Sequence, residues 1–202
     1  MIEIPTDIPA DLVPLAWLVG VWEGTGVIDY RAGETHYEGE FSHRVSFSHD
    51  GGPFLNYSAT AVLLETDERP AQQLTSESGF WRIARSAHDA APGPGLLPAL
   101  AAEPERTAED VEKLRVSADG GFPLEVALSR SDGVQELYLG EVNGPRIDLG
   151  TDAVVRSAGA KDYASATRLY GLVDGHLLWA WDIAALGQSL ASHASARLAK
   201  VS

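Results

Sequence analysis

The chain predicts an all-β fold: one antiparallel up-and-down barrel of about ten strands, with a short N-terminal helix. Three observations carry this. Asx-Gly pairs recur between segments rich in Val, Leu, Ile, Tyr, Phe and Trp; the best of those segments alternates large apolar residues on one face; and only one early stretch has a helical pattern. Asx-Gly pairs supply the positive φ angles of tight hairpins whose twist matches their flanking strands. Asp50-Gly51, Asp132-Gly133, Asn143-Gly144 and Asp174-Gly175 stand in such places, and Asp119-Gly120 marks the end of an irregular stretch.

Taken in order, the segment Asp11 to Leu18 reads as the helix, with Asp11 as N-cap and Gly20 as stop, and it is placed to plug one barrel end. Strands follow at 20–30, 37–48, 54–65 and 74–85. Residues 86–120 then read as an insertion: Ala90-Ala91-Pro92-Gly93-Pro94-Gly95 breaks any regular structure, an acidic stretch follows, and one helical turn fits Ala108 to Leu114. Strands resume at 122–130, 134–141, 146–152, 163–173, 176–184 and 193–201. In 176–184, Leu177, Trp179, Trp181 and Ile183 alternate with Leu178, Ala180, Asp182 and Ala184, so two indoles share one face. A length of 202 residues suits one domain across 1–202, with the insertion at about 86–120.

Composition narrows the function. Twenty-nine acidic residues against 15 basic give a formal net charge of −14, which repels phosphate backbones and anionic headgroups and so argues against nucleic-acid and membrane partners. There is no cysteine, which excludes disulfides, thiolate ligands, thiol catalysis and covalent haem attachment, so any metal must be held by nitrogen or oxygen. The first residues, Met-Ile-Glu-Ile-Pro-Thr-Asp, lack the pattern of a signal peptide, and the expected location is cytoplasmic. P-loop, G-x-S-x-G, H-E-x-x-H and dinucleotide fingerprints are all absent. The Glu109-Asp110 pair falls in the insertion and reads as a solvated face.

The run Gly20-Val21-Trp22-Glu23-Gly24-Thr25-Gly26 is a G-x-W-x-G-x-G motif at the start of the first strand. A buried Trp there would close the barrel floor while the glycines permit close backbone approach. The motif resembles that of the nitrobindins, haem proteins with a ten-stranded, fatty-acid-binding-protein-like (calycin) barrel. Val45-Ser46-Phe47-Ser48-His49 with Gly52-Pro53-Phe54-Leu55-Asn56-Tyr57 is similar to the family's second hairpin. Ala160-Lys161-Asp162 with Arg168-Leu169-Tyr170 resembles the strand that carries a haem-contacting lysine, and the segment from Ala185 to His193 matches the one that ends in the proximal haem ligand. The resemblance implies one non-covalent haem b on His193, Lys161 beside a propionate, and no catalytic side chain beyond the haem. It also implies nitric oxide binding and isomerisation of peroxynitrite to nitrate. Two departures mark a longer bacterial branch: Tyr30-Arg31-Ala32-Gly33-Glu34-Thr35 replaces the family's Tyr-Pro-Thr-Ile stretch, and the insertion is longer than in compact members.

A neutral imidazole is a strong donor to iron and, as sole protein ligand, leaves the opposite position open. Strand parity does not settle where His193 points. It shares a face with Ser195, Arg197, Ala199 and Val201, and the other face holds Ala194, Ala196, Leu198 and Lys200. A bulge between His193 and Arg197 would reset that parity; without one, the residue is an ordinary solvent-facing histidine. Lys161 likewise has an ordinary role as a solvated turn residue. His43 and His49 share parity with Val45 and Phe47 and would flank a pocket, but a separation of roughly 20 Å bars a shared metal. His36, His88 and His176 fall in turn or loop contexts, and Trp22, Trp81, Trp179 and Trp181 belong to the core. The alternative function is a haem-free carrier of a fatty acid or other small hydrophobic ligand, which requires an inward arginine: Arg82, Arg168 or Arg197. A homodimer is compatible with either.

Overall fold

In the computed structural model, which describes residues 8–85 and 106–202, ten strands form a closed barrel. They are β1 (Gly20–Ala32), β2 (Thr35–Ser48), β3 (Leu55–Leu63), β4 (Gln72–Ile83), β5 (Phe122–Arg130), β6 (Val134–Asn143), β7 (Arg146–Arg156), β8 (Tyr163–Val173), β9 (His176–Ala185) and β10 (Ala191–Lys200). Each pairs antiparallel with its sequence neighbour, and β10 returns to β1 to close the ring. Closure removes the free edges of a sheet. The predicted up-and-down barrel is thus the fold found.

The Asx-Gly pairs sit in the β2–β3, β5–β6, β6–β7 and β8–β9 turns. The β8–β9 turn shows why this chemistry is needed, since Asp174 and Gly175 take φ of 50° and 74° in succession, as a tight hairpin of matching twist demands. The β1–β2 hairpin departs from expectation. Its strands run past residues 30 and 37 to meet around Gly33, with Tyr30 opposite Tyr37 and Asp29 opposite Glu38. The Tyr30 and Tyr37 rings stack at 4.9 Å, and His36 bonds Asp29 at 2.8 Å. Cross-strand pairing therefore carries a segment whose polar character reads as loop, and His36 lies in β2 rather than in a turn.

The N-terminal helix is a 3₁₀ helix, Ala10–Leu18, and its cap is Pro9 rather than Asp11. Pro14 within it lacks the N–H that an α-helix would direct to the Ala10 carbonyl, and the chain winds more tightly. Asp11 instead pairs with Arg106 at 2.9 Å. The helix does plug the barrel: Leu12, Leu15 and Leu18 are fully buried, as is Trp22, whose Nε1–H donates to the Leu18 carbonyl at 2.7 Å.

The helical turn of the insertion is α1, Ala108–Glu112, shorter than the span to Leu114. Thr107 and Asp110 cap it reciprocally, and Val111 is buried. Asp110 is thereby a cap as well as part of a solvated face. Residues 86–105, including His88 and the Pro-Gly run, lie outside the described residues.

Candidate functional site

The barrel interior is graded along its axis. At the end plugged by the 3₁₀ helix, Phe47, Tyr57, Trp81 and Tyr170 pack with ring centroids 5.1–5.5 Å apart. Midway lies a charged cluster made by side chains on the inward parity of four strands. Arg168 of β8 grips Glu77 of β4 with Nη1 and Nη2 at 2.6 and 2.8 Å, reaches Glu136 of β6 at 3.3 Å, and donates through Nε to the Tyr138 hydroxyl at 3.0 Å. Tyr57 donates to Glu77 at 2.7 Å, and Tyr138 and Tyr163 both donate to Glu136. Burial alone raises the Glu77 pKa, but the charge and hydrogen bonds of Arg168, with the Tyr57 hydroxyl, outweigh it and hold the carboxyl at about 2.

Beyond this cluster the barrel opens into a cavity of about 200 Å³ at the end of β1 away from the helical plug. Its walls include Ile28, Phe41, Val134, Trp179, Trp181 and Ile183. His193 enters it through a fault in β10. Ser192 pairs with Asp182 and Ala194 with Trp181, so His193 is the extra residue of a β-bulge. Beyond it, Ala194, Ala196 and Leu198 are buried while Ser195 and Arg197 are exposed. Regular alternation would have placed His193 outward with them, and the bulge turns it into the cavity wall.

There the His193 imidazole stacks on Tyr30, with centroids 3.7 Å apart and planes 16° from parallel. Its Nδ1 is buried without a hydrogen-bond partner. Burial, and after it the charge of Arg130, lowers its pKa to about 4. At neutral pH the ring is therefore uncharged, with one nitrogen lone pair uncommitted to a proton. Lys161 lies exposed on the cavity rim, where the Arg156 guanidinium holds the segment through the Lys161 carbonyl at 3.2 Å and the Asp162 carboxylate at 2.7 Å. His193 and Lys161 are thus brought to one cavity.

The other marked residues go elsewhere. Gly20, Trp22, Gly24 and Gly26 do not line the cavity. A Cβ on Gly24 or Gly26 would overlap the Arg197 or Ser195 carbonyl of β10, so the motif tightens the seam that closes the barrel. His43 is inside, its Nδ1 3.0 Å from the Thr60 carbonyl and its ring tilted on Trp179 at 4.8 Å, whereas His49 sits beside Gly51 at the opposite end. They do not flank one pocket: six residues of extended chain separate them along the barrel. His176 begins β9, with Nδ1 2.9 Å from the Asp174 carbonyl and 3.0 Å from Arg197. Of the three candidates for the one inward arginine that a carboxylate carrier requires, Arg82 pairs outward with Glu125 at 2.7 Å, Arg197 is exposed, and Arg168 is committed to its own carboxylates.

Sequence reasoning missed Tyr30, Arg130 and the charged cluster. Parity held the signal. Phe122, Leu124, Val126 and Leu128 face inward, and Arg130 continues their register; Glu136 follows Val134, and Arg168 follows Ala166, in the same way.

Comparison with known proteins follows this geometry. The family described as "THAP4-like, heme-binding beta-barrel domain" matches residues 11–200. A protein of Leifsonia xyli named peroxynitrite isomerase is 62% identical over 200 residues, covering 99% of both chains. One of the same name from Clavibacter michiganensis is 58% identical over the full length of both, and another from Kocuria rhizophila is 52% identical over 99% of this chain and 95% of its own. The crystal structure of Rv2717c from M. tuberculosis aligns with a TM-score of 0.67 at 23% identity, covering 99% of this chain and all of that one, which is a likeness of fold.

Proposed function

The chain belongs to the THAP4-like, haem-binding β-barrel family, and from that premise we propose that it holds one haem b on His193 and isomerises peroxynitrite to nitrate; the relatives reported above carry the name peroxynitrite isomerase. The observation that carries this is the His193 imidazole, bulged into the cavity, neutral, and with Nδ1 lacking any partner. A buried polar group without a partner calls for one, and an uncharged imidazole is the form that ligates a metal. Among the described residues no cluster of three His, Asp or Glu offers a rival metal centre.

A haem held by His193 would supply a Lewis-acidic ferric centre. The protein does the rest. Tyr30 fixes the plane of the His193 ring by parallel stacking, Trp179, Trp181, Phe41 and Ile183 wall the cavity with apolar surface, and Lys161 on the rim would pair with a propionate. Isomerisation moves no atom out of the substrate, so a walled cavity that keeps the fragments together serves it. A fatty-acid carrier is less well supported, because the inward Arg168 is saturated by Glu77 and Glu136.

The net charge of −14 supports a chain without nucleic-acid or membrane partners. Among the described residues no helix is long and apolar enough to cross a membrane. Phe80, Leu137, Leu139 and Val155, exposed on the outer wall of β4 to β7, support pairing of two chains.

Titration of the purified protein with hemin tests the proposal. Wild type gives a saturable Soret shift and, once loaded, converts peroxynitrite to nitrate faster than the buffer does; His193→Ala gives neither. Equal Soret shifts in the two proteins would remove His193 as ligand.

A further inference from the structure

We propose that Arg130 is a built-in receptor for an oxyanion within the cavity: a guanidinium fixed through Nη2 and left with unmet donors on two separate edges, Nε and Nη1, either of which can donate to an oxygen of a monoanion. This rests on the haem-dependent function above and names a residue that would recognise its negatively charged substrate.

Arg130 ends β5 and lines the cavity, with its side chain 10% exposed. Its Nη2 is held by Asp132 at 2.6 Å. Asp132 is fixed in turn by the β5–β6 hairpin, where its Oδ1 accepts from the Val134 N–H at 3.3 Å. The guanidinium carbon lies 5.0 Å from the ring centroids of both Tyr163 and Trp181, so aromatic surfaces set its orientation. Yet Nε and Nη1 are buried and have no hydrogen-bond partner. Donors on a charged group are costly to leave unmade in a cavity walled by aromatic residues. The buried Arg168 shows the contrast, since it is satisfied by two carboxylates and a tyrosine.

Position adds to chemistry. In the strand order β1-β10-β9-β8-β7-β6-β5-β4-β3-β2, β5 stands five places from β10, halfway around the ring. Arg130 therefore projects from the wall facing His193. The cavity lining also carries Arg31 and Lys161 against Asp132 and Asp162, an excess of positive charge inside a chain of net charge −14. Peroxynitrite and nitrate are both monoanions with oxygen acceptors, and an unpaired guanidinium N–H gives either of them a charge-assisted hydrogen bond. A porphyrin propionate offers the same chemistry, and the experiment separates the two sources.

The hemin-loaded protein is titrated with sodium nitrite and followed at the Soret band, for wild type, Arg130→Met and Arg130→Lys, with nitric oxide as an uncharged control. Uptake of hemin and of hemin dimethyl ester is measured beside it, and thermal melts establish that the variants are folded. If the site receives a free oxyanion, Arg130→Met weakens nitrite about ten- to hundred-fold and Arg130→Lys less, while hemin and nitric oxide affinities are unchanged. If it receives a propionate, Arg130→Met weakens hemin but not the dimethyl ester. In the haem-free protein the Arg130 Nε–H resonance shifts saturably with sodium nitrate at constant ionic strength. Wild type that takes up no hemin defeats the proposed function, and this last measurement still decides the receptor. Unchanged nitrite and hemin affinities, or in their absence no saturable shift, overturn the role of Arg130.

Discussion

A histidine that releases its proton at about pH 4 instead of near 6.5 is neutral across the physiological range, and for His193 the causes are burial first and then the neighbouring Arg130 charge. The sign matters for ligand binding. Protons compete with a metal for the imidazole only where the ring titrates, so hemin affinity stays level from about pH 8 to about pH 5 and falls as the pH nears 4. Soret titrations at each pH check this; a decline centred on 6.5 would mean that the ring is solvated. Because Arg130 is the second cause of the depression, Arg130→Met moves the His193 titration upward in the haem-free protein, read from its imidazole resonances. Folding follows the same sign. The unfolded chain binds a proton below pH 6.5 that the folded chain refuses until about 4, so His193 lowers stability as acidity increases through that interval.

One inserted residue in β10 decides where that imidazole points. Removing Ser192 restores regular pairing, sets His193 opposite Asp182 on the outer face, and should leave a folded barrel whose hemin affinity matches that of His193→Ala, with unchanged far-UV circular dichroism. On the facing strand, Gly26→Ala places a Cβ against the Ser195 carbonyl and 2.6 Å from the Phe41 ring; urea unfolding should show a loss of about 1–3 kcal/mol. These two strands also show what was legible in the sequence. Next to them, turn chemistry at Asp174-Gly175 and the alternation of Trp179 and Trp181 have local causes, and β8 and β9 lie where those patterns put them. The bulge has no local signature, since Ser192-His193-Ala194 alternates acceptably in either register and only pairing with β9 selects one. The β1–β2 tip read as loop for the same reason: its Tyr30–Tyr37 stack and Asp29–His36 bond exist only across the hairpin. Arg130, Glu77, Glu136 and Arg168 were visible as charges on inward parity, but a charge in such a position reads as an error of register until its partners on other strands are known.

For the molecule as a whole, the charged cluster separates the packed end of the barrel from the cavity. Arg168 lies beneath Trp181, 4.8 Å from its ring centroid, and Tyr163 joins the cluster to the cavity wall. Arg168→Met would leave Glu77 and Glu136 buried without their cation, and breaking a buried pair in this way costs about 3–5 kcal/mol. The pH dependence is a sharper test than the magnitude. In wild type the Glu77 carboxyl is held at about 2 against an ordinary 4.5, so its contribution is complete above 4.5 and is lost as the pH falls toward 2. Without Arg168, burial, the largest influence on this carboxyl, is opposed only by the Tyr57 hydroxyl and the Arg130 charge; it raises the carboxyl, and the folded state now takes up the proton first. The sign reverses: between neutrality and about pH 4.5 the variant recovers stability relative to wild type as acid is added. His193 titrates alike in both proteins and cancels from the difference, whereas His43, whose protonation the Arg168 charge opposes, is freed of that charge in the variant and adds a contribution of the same sign. Urea midpoints measured for the pair at several pH values should therefore converge on acidification. A gap that stays constant would show that the carboxylates have found water or another cation, and that Arg168 holds the cavity floor by packing on Trp181 and Tyr138 rather than by charge.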